Sequence, residues 1–181
     1  MFIRLKYIVL VFVLSAFTCF SQELVQNNTE TTITFKIKNF GVNVDGSFSD
    51  FSFLSNFNSS NLEESFLNAE ISVKSISTGS KSMEEHLLKS DFFDVEKHPN
   101  IVFKSSEIIK DTNDKYLIKG SLFIKGVEKK MEVPLEVKQA KTDVTISANF
   151  VLNRKYFGVG GSSFVLSKKV NIKMIYVATK N

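Results

Sequence analysis

Two histidines, His86 and His98, stand among the carboxylates Glu85, Asp91, Asp94 and Glu96. Imidazole beside carboxylate is the raw material of a zinc site or of proton transfer. The spacing matches no zinc motif, and the segment changes from a helical to an extended pattern between the two histidines. His86 is better suited to hydrogen-bond a strand backbone or a ligand head group. No Gly-x-Ser-x-Gly elbow occurs. "FGVGG" at 157–161 has the glycines of a tight turn but lacks the strand-to-helix setting of a phosphate loop, so it reads as a β-bend. The expectation is therefore no catalytic residue, no metal and no cofactor. A metal- or His-dependent exported enzyme and a surface interaction module are the alternatives. The second is weakened by outward positions that are scattered Lys, Ser, Glu, Asn and Thr, a solvated face.

The elements that must position these residues begin after a leader. Arg4 and Lys6 precede the apolar run "YIVLVFVLSAF", and Cys19 and Ser21 offer small residues before Gln22. This layout predicts a signal peptide over 1–21, one domain over 22–181, and a periplasmic or secreted product. Phe17 and Thr18 fit a lipobox poorly, which makes lipid anchoring at Cys19 the weaker reading. Cleavage after Ser21 removes the only cysteine, and with it any disulfide or thiolate site. It also removes two of the positive charges, leaving +2 of the formal +4. A chain so nearly balanced, without a dense basic patch, is not a nucleic-acid binder.

Period-two alternation recurs along the rest of the chain. Inward candidates are Ile33 and Phe35, then Phe48, then Ile71 and Val73. They continue with Ile101 and Phe103, Leu122 and Ile124, and Phe150 and Leu152. About eight such one-faced strands must stack as a sandwich or close as an antiparallel barrel. "VDGS" at 44–47, "DTNDK" and "IKGVEKK" read as turns, Pro134 as an edge, bulge or strand start, and Ile175 as a switch of face. Residues 81–90 break the pattern. Ser82 and Glu85 have capping-box spacing, and Met83 and Leu87 share one helical face. Beyond this helix, Phe92 and Phe93 sit between Asp91 and Asp94, ahead of Pro99. The two rings are expected to turn inward as a plug, with the aspartates capping local amides. Fourteen of the 18 phenylalanines lie beyond the leader, enough for either a solid core or an aromatic-lined cavity.

"SISTGSKSMEEHLLKSDFFDVEKHPNIVFKS", "FKIKNFGVNVDGSFSDF", "IKGSLFIKGVEKKMEVPLEV" and "NRKYFGVGG" together resemble the YceI-like, polyisoprenoid-binding family over roughly residues 30 to 177. The resemblance implies an all-β fold, an extended eight-stranded antiparallel β-barrel, lipocalin-like, with one short helix near residues 81–90. It also implies a bound isoprenoid lipid or quinone, held in a tunnel lined by the inward candidates together with Leu87, Phe92 and Phe93. His86 and His98 are head-group or gate candidates. The family more often has Tyr or Phe where His98 stands, so closure here is expected to be more polar. Transient membrane contact and a homodimer through an edge strand or a barrel end are compatible with this reading.

Overall fold

The computed structural model describes residues 24–180. The leader, Cys19 and the break after Ser21 lie outside them. Eleven strands form one sheet: β1 (Leu24–Gln26), β2 (Thr32–Asn39), β3 (Val42–Phe48), β4 (Phe51–Ser55), β5 (Leu67–Ser72), β6 (Ile76–Ser77), β7 (Asn100–Thr112), β8 (Lys115–Ile124), β9 (Val127–Gln139), β10 (Asp143–Asn153) and β11 (Leu166–Lys180). One helix, α1 (Lys81–Leu87), and two 3-10 turns, Val73–Ser75 and Arg154–Phe157, complete the described elements.

The sheet path runs β4-β5-β7-β8-β9-β10-β11-β2-β3-β6, and β1 adds to β11. Its ladders are antiparallel. β5 and β6 are one continuous segment interrupted by the turn Val73–Ser75, so the path curls until it meets its own beginning. The junction is stitched from both sides. Val73 N–H donates to Pro99 O at 2.8 Å, and Ser49 N–H donates to Ser75 O at 3.3 Å. A curled sheet closed this way leaves few free edges. The expected class is correct. The strand count rises above eight because β1 and β6 are very short, and because the bend at Ser49–Asp50 splits β3 from β4.

Alternation places the expected residues inward. In β8 the buried or covered positions are Tyr116, Ile118, Gly120, Leu122 and Ile124; in β10 they begin Val144, Ile146 and Ala148. Three local expectations change. "VDGS" is not a turn but lies inside β3, and the β2–β3 hairpin turns instead at Phe40 and Gly41, with φ of 49° and 79°. Gly46 is there because Phe35, its register partner, lays its ring across the glycine, where a Cβ would collide. β11 keeps its alternation past Ile175, burying Tyr176 and Ala178, so the face does not switch. The capping box is also displaced. Ser80 is the N-cap without a side-chain bond, and Glu84, not Glu85, reaches back to Thr78 N–H at 2.7 Å.

Pro134 lies inside β9, at an internal edge. β8 stays paired with β9 throughout, whereas β10 pairs with β9 only over Leu135–Gln139. Pro134 thus lacks a donor at the place where β10 departs and no longer needs one. The 3-10 turn Arg154–Phe157 packs beside β9 and β11.

Two apolar clusters fill the barrel. One gathers Phe57, Tyr116, Ile118, Val144, Ile146 and Tyr176 with their neighbours near the β7–β8 and β9–β10 turns. The other gathers Ile33, Phe48, Ile76, Ile101, Leu122 and Phe157 near α1 and the β8–β9 turn. Phe53, Phe103, Met131 and Met174 pack against both and form the partition between them.

Candidate functional site: an apolar cavity with one buried cation

The second half of the barrel is hollow. A cavity of about 550 Å³ lies between β2, β3, β10, β11, the inner ends of β7 and β8, and α1. That volume falls in the range of about 300–1,000 Å³ usual for ligand pockets. Its wall is largely hydrocarbon. Ile33, Phe35 and Ile37 come from β2 and Val44 and Phe48 from β3. Phe150 and Leu152 come from the part of β10 that has left β9, and Val170 and Ile172 from β11. Ile71, Ile101, Leu122 and Ile124 complete the far wall.

Helix α1 closes part of the open end. Met83 and Leu87, four residues apart on one face, both line the cavity, and Ser82 and His86 join them. After the helix the chain stays tightly coiled: Phe93 N–H donates to Leu87 O at 3.1 Å and Val95 N–H to Leu88 O at 3.0 Å. These bonds turn Phe92 and Phe93 into the cavity wall, where both are part-covered. Phe92 meets the His86 ring edge-on, with centroids 4.8 Å apart.

Of the inward candidates, only Val73 and Phe103 do not line the cavity. Val73 sits in the 3-10 turn at 1% exposure, deep in the second cluster, because the strand ends before it. Phe103 belongs to the partition and lies over Gly120, where a Cβ would strike its ring. The two histidines separate. His86 faces the cavity, with Asp91 Oδ2 at 3.7 Å from its Nε2. His98 packs against Gly126 in the β8–β9 turn and is not among the residues of the cavity wall. Among the described residues no group of three or more His, Cys, Asp or Glu is placed to hold a metal.

The aspartates act differently from local caps. Asp94 takes a left-handed φ of 52°, and its carbonyl accepts from Lys97 N–H and His98 N–H while its carboxylate pairs with Lys97 Nζ at 3.4 Å. Asp91 uses its carbonyl to accept from Gly160 N–H at 2.9 Å, tying the plug to the 158–161 loop.

Arg154 is the main residue that the alternation pattern misses. It lines the cavity at 5% exposure. Its Nε donates to Ser167 O at 2.8 Å, Nη1 to Val159 O at 2.6 Å and Nη2 to Leu166 O at 2.9 Å. Among the described residues it has no carboxylate partner. Burial pushes its pKa down, but a guanidinium stays charged. The "FGVGG" loop is thus wrapped around a cation. Gly160 takes a left-handed φ of 69° and has no room for a Cβ, because Phe92 and Arg154 press on it. The available sequence signal was an arginine at the end of a strand pattern, running into a glycine-rich turn with no acidic residue nearby.

A curled antiparallel sheet with one solid end and one hollow, hydrocarbon-lined end is an apolar-cavity β-barrel. The YceI-like domain matches over residues 25–178, and the chain belongs to that family. A UPF0312 protein of Pectobacterium carotovorum is 35% identical over 102 residues, covering 56% of this chain and 53% of the relative. The chain thus matches about half the length of such curated relatives. The crystal structure of BcnA from Burkholderia cenocepacia superposes with a TM-score of 0.82 at 26% identity, covering 85% of this chain and 99% of that one. A polyisoprenoid binding domain from Saccharophagus degradans, implicated in plant cell wall breakdown, shares the fold. Its TM-score is 0.69 at 13% identity, covering 89% of this chain and 99% of that one.

Proposed function

We propose that this protein is an exported lipid-binding protein that holds an isoprenoid chain, as a prenyl quinone or a polyprenyl phosphate, in the hollow end of its barrel. The observation that carries the reading is the cavity itself, whose wall is Phe, Ile, Leu and Val over most of its surface. An isoprenoid presents methyl-bearing hydrocarbon and almost no hydrogen-bonding atoms, so such a wall loses nothing by contacting it. Each buried CH₂-like unit contributes about 0.8 kcal/mol, and ordering of the long chain offsets much of the sum. Release into water is then slow, which suits a carrier, reservoir or sensor. The polar groups of the wall, among them Ser82, His86, Asn39 and Ser163, lie on α1, at the end of β2 and on the loop before β11, all at the open end, and they would meet the head group there. A wall with so few polar atoms favours holding a ligand over transforming it. The leader layout supports work in the periplasm or outside the cell.

The test is purification without detergent, followed by solvent extraction and mass spectrometry. Recovered isoprenoid, and a raised melting temperature on adding a prenyl quinone or polyprenyl phosphate, is the expected result. A lipid-free protein that neither ligand stabilises would end this reading. Replacing both Phe92 and Phe93 by alanine should speed lipid loss more than it perturbs the sheet.

A further inference from the structure

The rim of the open end carries apolar side chains that face water. Phe164 is 101% exposed, Phe40 75%, Val42 67% and Val165 42%. They come from the tip of the β2–β3 hairpin and the loop before β11, which are joined by the Leu166–Asn39 pairing and by Phe40 N–H donating to Val165 O at 3.0 Å. Phe40 and Val165 also line the cavity, so the exposed patch runs directly into the interior wall. Phe40 occupies a left-handed position at φ 49° in a two-residue hairpin turn. That place favours Asn, Asp or Gly, and a bulky side chain there is held against strain. Phe164 stands wholly in water, and the Phe40 ring largely so.

The charge on the 158–169 side of the rim is one-signed. From Val144 to Asn181 the chain has no Asp or Glu, while Arg154, Lys155, Lys168 and Lys169 flank the 158–165 loop. Lys38 lies beside the hairpin tip, and Lys36 is paired with Asp45 at 3.1 Å. The carboxylates of the open end, Glu84, Glu85, Asp91, Asp94 and Glu96, belong to α1 and the turn after it, where Lys81, Lys89 and Lys97 stand among them. One side of the mouth is therefore apolar and basic, and the other carries both signs.

We propose that this basic apolar rim docks the mouth on an anionic lipid bilayer, with Phe164, Phe40 and Val42 entering the head-group region. The inference rests on the lipid-binding reading and adds the surface from which the cavity is filled. Phenylalanine seated at the interface and lysines above anionic head groups are two signals that together give reversible attachment. Among the described residues no helix is long and apolar enough to cross a membrane. A ligand passing from bilayer to cavity then crosses Phe40 and Val165 without meeting bulk water.

The experiment is flotation of the chain from Gln22 onward, which contains every described residue, with vesicles of phosphatidylcholine alone or mixed with phosphatidylglycerol. The protein should float with the anionic vesicles, far less with the neutral ones, and less as salt rises. Val42→Ser combined with Phe164→Ser should weaken flotation about tenfold or more. The same variant should still take up a prenyl quinone from detergent micelles, because neither side chain lines the cavity. Equal flotation of variant and parent, or no flotation of the parent on anionic vesicles, overturns the proposal. So does a parent dimer in solution that the two serines dissolve, since the rim would then be covered by a second copy. Failure to load quinone from micelles would instead strike the lipid-binding reading and leave the docking result standing on its own.

Discussion

The two ends of this barrel are built from the same strands and the same alternation, yet one is solid and the other hollow. At the solid end β10 is paired on both sides, and Ile146 and Val144 are fully buried. β1 lies against β11 there, Gln26 Oε1 accepts from Phe53 N–H at 2.7 Å, and Phe57 meets Tyr116 edge-on at 5.2 Å. The 56–66 loop is laced through Ser55, Asn58 and Ser65. At the other end β10 has left β9, and closure falls to a seven-residue helix, a plug of two phenylalanines and a loop wound on an arginine. Ladder bonds on both sides press inward side chains together. Where the ladder parts, the same side chains stand around a void.

The largest expected contrast comes from one strand. Ile146→Ala removes a fully buried side chain from a close-packed setting, and should destabilise by about 2–5 kcal/mol. Leu152→Ala, further along β10, trims a wall that already faces empty space. It should cost about 1 kcal/mol or less, since little new cavity surface is made. Urea denaturation of both variants checks this. Equal losses would show that the hollow end packs as tightly in solution as the solid one.

Next in size is the arginine. Arg154→Met keeps an apolar stem but strands the carbonyls of Val159, Leu166 and Ser167. Each buried acceptor left without a donor costs ~1–3 kcal/mol, and removing a buried charge offsets part of it. A net loss of about 2 kcal/mol follows. Hydrogen exchange should rise over 158–167 while β8 and the solid end stay protected. A uniform rise would make Arg154 a support of the whole barrel rather than of its open end.

The partition gives the third test. Gly120→Ala places a methyl against the ring of Phe103 and a backbone carbonyl of β7. Overpacking of this kind costs ~1–3 kcal/mol, and here it should displace Phe103 toward one half. Ligand retention would then change although residue 120 does not line the cavity. Unchanged retention with a lower melting temperature would mean that the floor yields only on the solid side.

The sequence made the barrel walls visible because a half-buried antiparallel strand leaves a period-two trace, and nearly every inward candidate does face the interior. It could not separate core from cavity. Ile146 and Leu152 sit on the same face of one strand, and what divides them is the departure of β10 from β9, a tertiary event. Pro134 marked that event, but only as an edge, bulge or start. The bulge in β7 between Ser105 and Glu107 shifts the phase and hides Ile108 from a strict alternation. "VDGS" carries turn residues for a packing reason, the ring of Phe35 over Gly46. Arg154 escaped because a cation satisfied by backbone carbonyls has no partner that can be named from sequence.

The smallest expected effect concerns how α1 begins. Glu84 accepts from Thr78 N–H and Ser77 Oγ, and the Thr78 bond leads in holding its carboxyl below the ordinary value of 4.5, against a smaller opposing desolvation. A depressed folded-state pKa means that the stabilisation is fully present above 4.5 and is lost as pH falls through the lower folded value. Glu84→Gln should therefore remove a slight acid-side dependence of stability without touching the neutral-pH melting of the solid end. Because the residue is only partly covered, the change should be read locally, as faster exchange at Thr78 and the first turn of α1. If the helix start is as firmly held as the β-ladders, exchange there will not respond to the substitution or to acid, and the lid will have to be counted with the rigid end of the molecule.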